Sequence, residues 1–359
     1  MESNENSTVS SFFLIIVIIT GLFGNTLNII IFSQKPMRKN STFRYLFYLS
    51  VIDILVIIFC ATETLLTHGF RIKVKEISTY TCKISTFMEY FLTHESSIVL
   101  MIVSIDRTLV VCNKSLLFFN FLRRIISQSM NKARYVGKLI TFISLVLGLM
   151  NFHHLVFGDL TEVSSSKALP LNLTTLLKEL KNSTNTTSAV YDEIKLLETS
   201  YSLDSVGSKK KYQCYPAHNS KYFAFFFNIW LWLDILIYSI IPFFVMVICS
   251  TIILIHINRK TSAIINRSNI KSKEITERAR RRNKQLLIML ILTNLYFILC
   301  SLPLCIDMIH YKFNGFTSEA SSYQIVFHVL AYSNNSVNFI FCLIFSKKYR
   351  EVVIELFFK

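Results

Sequence analysis

A carboxylate inside an apolar run is costly unless something answers its charge, so the acids of this chain are where chemistry is to be sought. Asp53 closes the run Leu49-Ser-Val-Ile-Asp53, with apolar residues on both sides. Asp106 and Arg107 end a second run, in Ser104-Ile-Asp106-Arg107-Thr108. Glu63, Glu89, Asp234 and Asp307 interrupt others. Groups so placed hold cations, ion pairs or hydrogen-bond networks. They are not arranged for catalysis: the chain has no Gly-rich phosphate loop, no Cys/His cluster at zinc spacing and no nucleophile elbow. His153-His154 are too isolated for an intramembrane enzyme. The expectation is a protein that is not an enzyme and carries no catalytic cofactor.

The elements that position these residues follow from the composition. Of 359 residues 52% are hydrophobic and only 17% charged, where a soluble domain is nearer about a quarter charged. A helix needs about 20 apolar residues to cross a bilayer. Seven windows meet this, at 11–33, 45–66, 81–111, 136–157, 223–257, 285–310 and 324–345. The fold class expected is an all-α membrane protein, a seven-helix transmembrane bundle. The first window lacks a basic leader and exceeds a signal-peptide core, so it reads as a retained helix.

Charge orients the bundle. With the N-terminus outside, 25 of the 38 Lys and Arg fall on inner segments and the inner ends of spans, the sign of the positive-inside rule. The first inner loop holds Lys35, Arg38, Lys39 and Arg44, and the third holds Arg278, Arg280, Arg281, Arg282 and Lys284. The net charge of +16 is therefore read as a topology signal and a contact for anionic lipid, not as a nucleic-acid footprint. The organisation expected is an extracellular tail over 1–10 and a seven-helix bundle over 11–345. Within the bundle, 158–222 is a long second outer loop and 258–284 a third inner loop. A cytoplasmic helix and tail fill 346–359. The sequons at Asn6, Asn172, Asn182 and Asn185 fall outside in this topology and are expected glycosylation sites. Five of the eight cysteines lie within spans and Cys112 at an inner end. Cys82 and Cys214 remain as the outside pair, and extracellular thiols favour pairing.

Further polar residues complete a pattern. Gly24-Asn25 lie in the first window, Pro242 in the fifth, and Phe297-Ile-Leu-Cys300-Ser301-Leu-Pro303 in the sixth. The seventh has Asn334-Asn335-Ser336-Val-Asn338-Phe339-Ile-Phe341-Cys342, followed by Phe345-Ser-Lys-Lys-Tyr349-Arg350. Together with Asp53, Asp106-Arg107 and the 25-residue spacing from Cys82 to Arg107, these resemble the rhodopsin-like (class A) G protein-coupled receptors over nearly the whole chain. The likeness is strongest to divergent invertebrate neuropeptide receptors, which share the Asn-Phe of Asn338-Phe339. The family's DRY triplet reads Asp106-Arg107-Thr108 here. Ser301 replaces the Trp before the span-six proline, and Cys342 ends a motif that has lost both Pro and Tyr.

The resemblance implies a plasma-membrane receptor with its N-terminus extracellular, partnered by an extracellular ligand, a heterotrimeric G protein and membrane lipids. It implies a short amphipathic C-terminal helix. It makes Asp106, Arg107, Phe297, Pro303 and Asn338 the coupling and switch residues. It also implies a sodium ion among Asp53, Ser96, Asn334 and Asn338; a protonated or water-bonded Asp53 is the alternative. Glu63, Glu89, Asp234 and Asp307 lie in the outer half of the bundle, with Tyr90 beside Glu89. Four acids near a cavity mouth suggest a cationic ligand group, and a basic, amidated peptide fits best. Some of these acids can instead face interfacial water or Lys75, Lys83 and Lys312. Tyr90, Phe91, Trp230 and Trp232 are aromatic walls or, for the tryptophans, an interfacial belt. The alternatives are a receptor for a small amine or lipid, and a decoy that binds without signalling. A transporter or channel is disfavoured because neither repeats nor interrupted helices occur.

Overall fold

The computed structural model describes residues 2–111, 133–163, 211–216, 220–265, 270–314 and 322–358. Seven long helices dominate these residues. They are α1 (Glu2–Phe32), α2 (Ser41–His68), α3 (Thr79–Val111), α4 (Ala133–Asn151, continuing as His153–Phe157), α5 (220–265), α6 (Ile270–Asn314) and α7 (Ser322–Phe345). An eighth, α8 (Lys347–Phe357), leaves α7 at a bend of 93°. Ser346 makes that corner, its hydroxyl capping the new helix by accepting from Tyr349 N–H. The Tyr349 ring is buried against Phe32, and its hydroxyl donates to Asn28 Oδ1 at 2.8 Å, which pins α8 to α1.

Five helices are long and apolar enough to cross a membrane as they stand: Thr8–Phe32, Ser41–His68, Tyr135–Phe157, Lys221–His256 and Ile291–His310. The helix α3 does not meet that test, because Lys83, Glu89, Glu95, Asp106 and Arg107 interrupt it. It is instead surrounded by α2, α4 and α5, where neighbouring helices answer its polar groups. The outward faces of the other helices are apolar: Phe23, Phe142, Leu149 and Leu299 are all more than half exposed. Such a belt is what a lipid-facing surface requires.

Three stretches differ from the expectation. The tail expected over 1–10 is a continuation of α1, which begins at Glu2. The inner loop expected over 258–284 is largely helical, since α5 runs to Ile265 and α6 starts at Ile270. Lys, Arg, Glu and Ala, which crowd 271–284, are strong helix formers once a packed span supports them. The segment expected to be loop over 158–222 carries a hairpin at its two ends. There β1 (Gly158–Val163) pairs antiparallel with β2 (Lys211–Pro216), with Leu160 opposite Cys214.

Two of the helices are locally underwound. One π turn interrupts α2 at Ile57–Ala61, and two interrupt α5 at Phe226–Trp230 and Leu236–Ile240. The second of these meets Pro242, whose missing N–H would leave the Tyr238 carbonyl without its helical donor. Ser97 of α3 donates to that carbonyl. The break in α5 is thereby satisfied from a neighbouring helix, as a membrane interior demands.

Close packing of α1 on α7 rests on Gly24. A Cβ built there would lie 2.0 Å from Cδ1 of the Phe339 ring, which is itself packed edge-on against Phe23. Gly24→Ala is expected to cost about 1–3 kcal/mol by overpacking, seen as a lowered melting temperature of the purified protein. A variant that melts with the wild type would show that Phe339 can swing aside freely.

Candidate functional site

The polar residues on the inward faces of the helices gather at three levels. At mid-depth, Asp53 of α2 is completely buried and accepts three hydrogen bonds: Ser96 Oγ at 2.8 Å, Asn335 Nδ2 at 2.7 Å and Asn338 Nδ2 at 2.9 Å. Asn335 also donates to Ser96 Oγ, and its own carbonyl accepts from Asn25 Nδ2 at 2.8 Å. Helices α1, α2, α3 and α7 are thus joined through one carboxylate. The expected partner Asn334 is not among the groups bonded to Asp53. Asn334 and Asn335 both lie within one turn of Asn338, and the rotation of α7 in the bundle brings Asn335 to the carboxylate. Asn334 turns to the neighbouring cavity, its Oδ1 buried and without a hydrogen-bond partner. The donor set fits a hard cation: Asp53, Ser96 and the orphan Asn334 carbonyl offer oxygen.

At the inner level, Asp106 turns to the start of α2. It accepts from Ser41 Oγ at 2.9 Å and Thr42 Oγ1 at 2.5 Å. Arg107 Nη2 reaches Asn40 Oδ1 at 3.4 Å, and that same oxygen caps α2 through Thr42 N–H. Arg107 is nearly buried, and its Nε has no hydrogen-bond partner. Both residues of the expected pair are therefore held by the Asn40-Ser41-Thr42 corner. Ser104 Oγ bonds Asn294 Oδ1 of α6 at 3.2 Å, and Asn294 Nδ2 reaches Ser250 of α5. Nothing in the sequence reading singled out Asn294 or Ser250.

At the outer level two adjoining cavities, of about 200 and 290 Å³, share Glu89, Tyr90, Asp307 and Met308. The deeper one is floored by Phe297 and Tyr238, whose rings meet edge to face at 6.3 Å. Phe297 is buried, and its carbonyl accepts from Ser301, the residue standing where the family has Trp. Pro303 lies inside α6, two residues beyond Ser301. The shallower cavity has an aromatic wall of Tyr90, Tyr222, Phe226 and Phe227. Tyr90 stacks on His154 at 4.4 Å, and Trp230 meets His153 at 4.1 Å and His154 at 5.2 Å. Trp230 is therefore core, not an interfacial belt residue; Trp232 is the exposed one. Phe91 stacks on Phe87.

The four outer acids have different partners. Glu63 and Glu89 share Lys75, at 3.3 and 2.6 Å. Burial alone would pull the Lys75 ammonium down, but the two carboxylates outweigh it and hold its pKa above the ordinary lysine value. Asp234 is buried against His94 Nε2 at 2.8 Å, and His94 Nδ1 faces Asn151 Nδ2 at 3.3 Å. Asp307 meets Gln324 Nε2 at 3.2 Å. The sequence reading missed His94; a single histidine within an apolar helix carries no signal of its own, and its acid is 140 residues away. Glu95, bonded to Ser144 of α4, was missed for the same reason.

Cys82 and Cys214 form the disulfide, with Cα atoms 5.5 Å apart. It fastens β2 to the start of α3, above the shallower cavity, which Cys214 also lines. The five other described cysteines are free and buried. The sequons at Asn172, Asn182 and Asn185 lie outside the described residues, and Asn6 stands in the first turns of α1.

Residues 193–341 match the family model described as 7 transmembrane receptor (rhodopsin family). Over that stretch, less than half of its length, the chain is similar to this family. No curated protein matches it. The match and the apolar helices together support a multi-pass membrane protein. The match spans the fifth, sixth and most of the seventh helices, where the span-six and span-seven sequences depart furthest from the family pattern.

Proposed function

We propose that the receptor sits in the plasma membrane with its N-terminus outside, binds a basic, amidated peptide in the outer cavities and activates a heterotrimeric G protein. The observation that carries this reading is the pair of adjoining cavities, in which acids (Glu89, Asp307) face an aromatic wall (Tyr90, Tyr222, Phe226, Phe227). A cationic side chain beside an aromatic one is the ligand chemistry that complements such a site. The combined space exceeds what one small amine fills, which favours a peptide terminus over a lone amine.

Transmission follows from what the cavity floor touches. Phe297 and Tyr238 lie between the ligand space and the kinked middles of α6 and α5. A ligand that shifts them biases α6 about Pro303, where a helix hydrogen bond is missing. At the other end, Asn294 ties α6 to Ser104, two residues before Asp106. Outward movement of α6 breaks that tie and uncovers Arg107. A sodium ion near Asp53, using Ser96 and Asn334 or Asn338 oxygens, would supply positive charge that stabilises the resting arrangement. Asn6, Asn172, Asn182 and Asn185 are proposed to carry glycans on the outer face.

Screening amidated basic peptides and amines against cells expressing the receptor, with calcium and cAMP readouts, tests the reading. A peptide response is expected, and Arg107→Ala is expected to abolish it while surface expression is kept. A response to amines alone would replace the peptide reading. Specific peptide binding with no G protein response would identify a decoy. Normal coupling by Arg107→Ala would remove that residue from the mechanism.

A further inference from the structure

Resting on the proposal of a cationic ligand, we infer that Lys75 is a built-in cation that fills the subsite made by Glu63 and Glu89, so that Asp307 is the carboxylate that meets the ligand's own cation.

Lys75 does not belong to the helices that build the cavity. It is carried by a single 3-10 turn, Val74–Glu76, in the first outer loop, and its side chain enters the wall of the shallower cavity. Its ammonium lies 2.6 Å from Glu89 and 3.3 Å from Glu63, and the three side chains are all less than a third exposed. Thr67 supplies a further hydrogen bond to Glu63 at 3.2 Å. The neighbouring turn charges are settled elsewhere: Lys73 pairs with Glu76 at 2.8 Å. The Lys75 ammonium thus already stands between the two carboxylates, in the position a ligand cation would take.

A ligand ammonium or guanidinium that sought Glu89 would have to expel Lys75. Lys75 is tethered a few residues from the end of α2, so it competes as an intramolecular partner, at an effective concentration on the order of millimolar or higher. Expulsion would also leave a charge without its partner in a poorly hydrated wall, which is the costly way to break an ion pair. Asp307 presents the opposite case. Its hydrogen bond is to the neutral amide of Gln324, at 3.2 Å, and it faces both cavities. Replacing a neutral amide by a cation gains Coulomb energy at that carboxylate instead of exchanging like for like. Asp234, the remaining acid, is satisfied by His94 and lies beneath Trp230. The device decides specificity: Lys75 cancels one unit of the negative charge that four acids would otherwise present, and so selects ligands with one cation over those with two.

The test uses the purified full-length chain in lipid nanodiscs and the probe N-acetyl-Arg-Phe-amide, which has a single guanidinium beside an aromatic ring. Asp307→Asn is expected to weaken probe binding tenfold or more, and at least five times more than Glu89→Gln does. Lys75→Met is expected to tighten binding of the doubly cationic analogue Arg-Phe-amide about tenfold, and adding Glu89→Gln to that variant is expected to erase the gain. Labelling of the buried cysteines on heating reports whether each variant is folded. Glu89→Gln equal to or larger than Asp307→Asn, no gain in a folded Lys75→Met, or no saturable probe binding would each overturn the assignment. If Lys75→Met melts early, the comparison of Asp307→Asn with Glu89→Gln decides alone. The readout is binding, not signalling, so a receptor that binds in this pattern without coupling would sink the signalling proposal and leave this one standing.

Discussion

Cys82→Ser and Cys214→Ser are each expected to lose about 4–5 kcal/mol of stability in the chain-entropy treatment of a long closed loop, and both are expected to fail surface delivery to the same degree. The bond closes a sequence separation of 132 residues, so almost all the freedom it removes belongs to the unfolded chain. It also acts locally. Cys214 sits opposite Leu160 in the hairpin, and Cys82 lies in the first turn of α3, so cutting the bond frees the hairpin from the bundle at the cavity mouth. Surface immunolabelling and melting of the two single variants and the double variant check this. The double variant should be no worse than either single, because the second serine removes nothing further. Clearly additive losses, or one single variant delivered normally, would mean that the two sulfurs act separately.

His94→Ala is expected to cost about 1–3 kcal/mol, the penalty of leaving a buried hydrogen-bonding group without its partner. His94 and Asp234 touch at 2.8 Å, with the histidine side chain wholly buried and the aspartate nearly so. Removing the imidazole strands a carboxylate between α3 and α5 beside Trp230 and Tyr238. Asp234→Asn should be milder, since an amide still fills the space and can bond the ring. The double variant His94→Ala/Asp234→Ala should lose much less than the sum of its singles, because no charge is then left behind. Melting of the four proteins gives the cycle directly. Additive losses would show that the two groups do not depend on each other, and the observed contact would then carry no energy.

Much of the bundle was legible in the residues. Runs of about 20 apolar side chains satisfy their backbone as helices, so the spans followed from composition, although the first, fifth and sixth helices extend well beyond the apolar windows. Two cysteines, Cys82 and Cys214, were left on the side expected to be outside, and they pair. Asp53, Asp106 and Arg107 stood out because charge within an apolar run needs a partner. What that argument supplies is the need for a partner, not its identity. Asn334 and Asn335 are equally polar and adjacent, and only the rotation of α7 against α2 puts Asn335 on Asp53 and turns Asn334 to the cavity. Asp106 and Arg107 looked like a pair because they are neighbours in sequence. In the fold, the Asn40-Ser41-Thr42 corner lies closer than either is to the other's charge.

The other surprises have a common source. The hairpin joins strands 52 residues apart at Thr161 and Gln213, and neither strand has a hydrophobic run of its own to announce it. Lys75 was one of three lysines expected as partners of the outer acids, and the fold selects it; His94, Asn294 and Ser97 were unremarkable in the sequence because each does its work on another helix. By itself the sequence determined which segments are apolar helices and which side chains cannot remain unanswered, since these depend on transfer of each residue into lipid. Which group answers which was decided only by the tertiary structure, because partnership depends on the rotation and depth of packed helices, and no single segment contains that information.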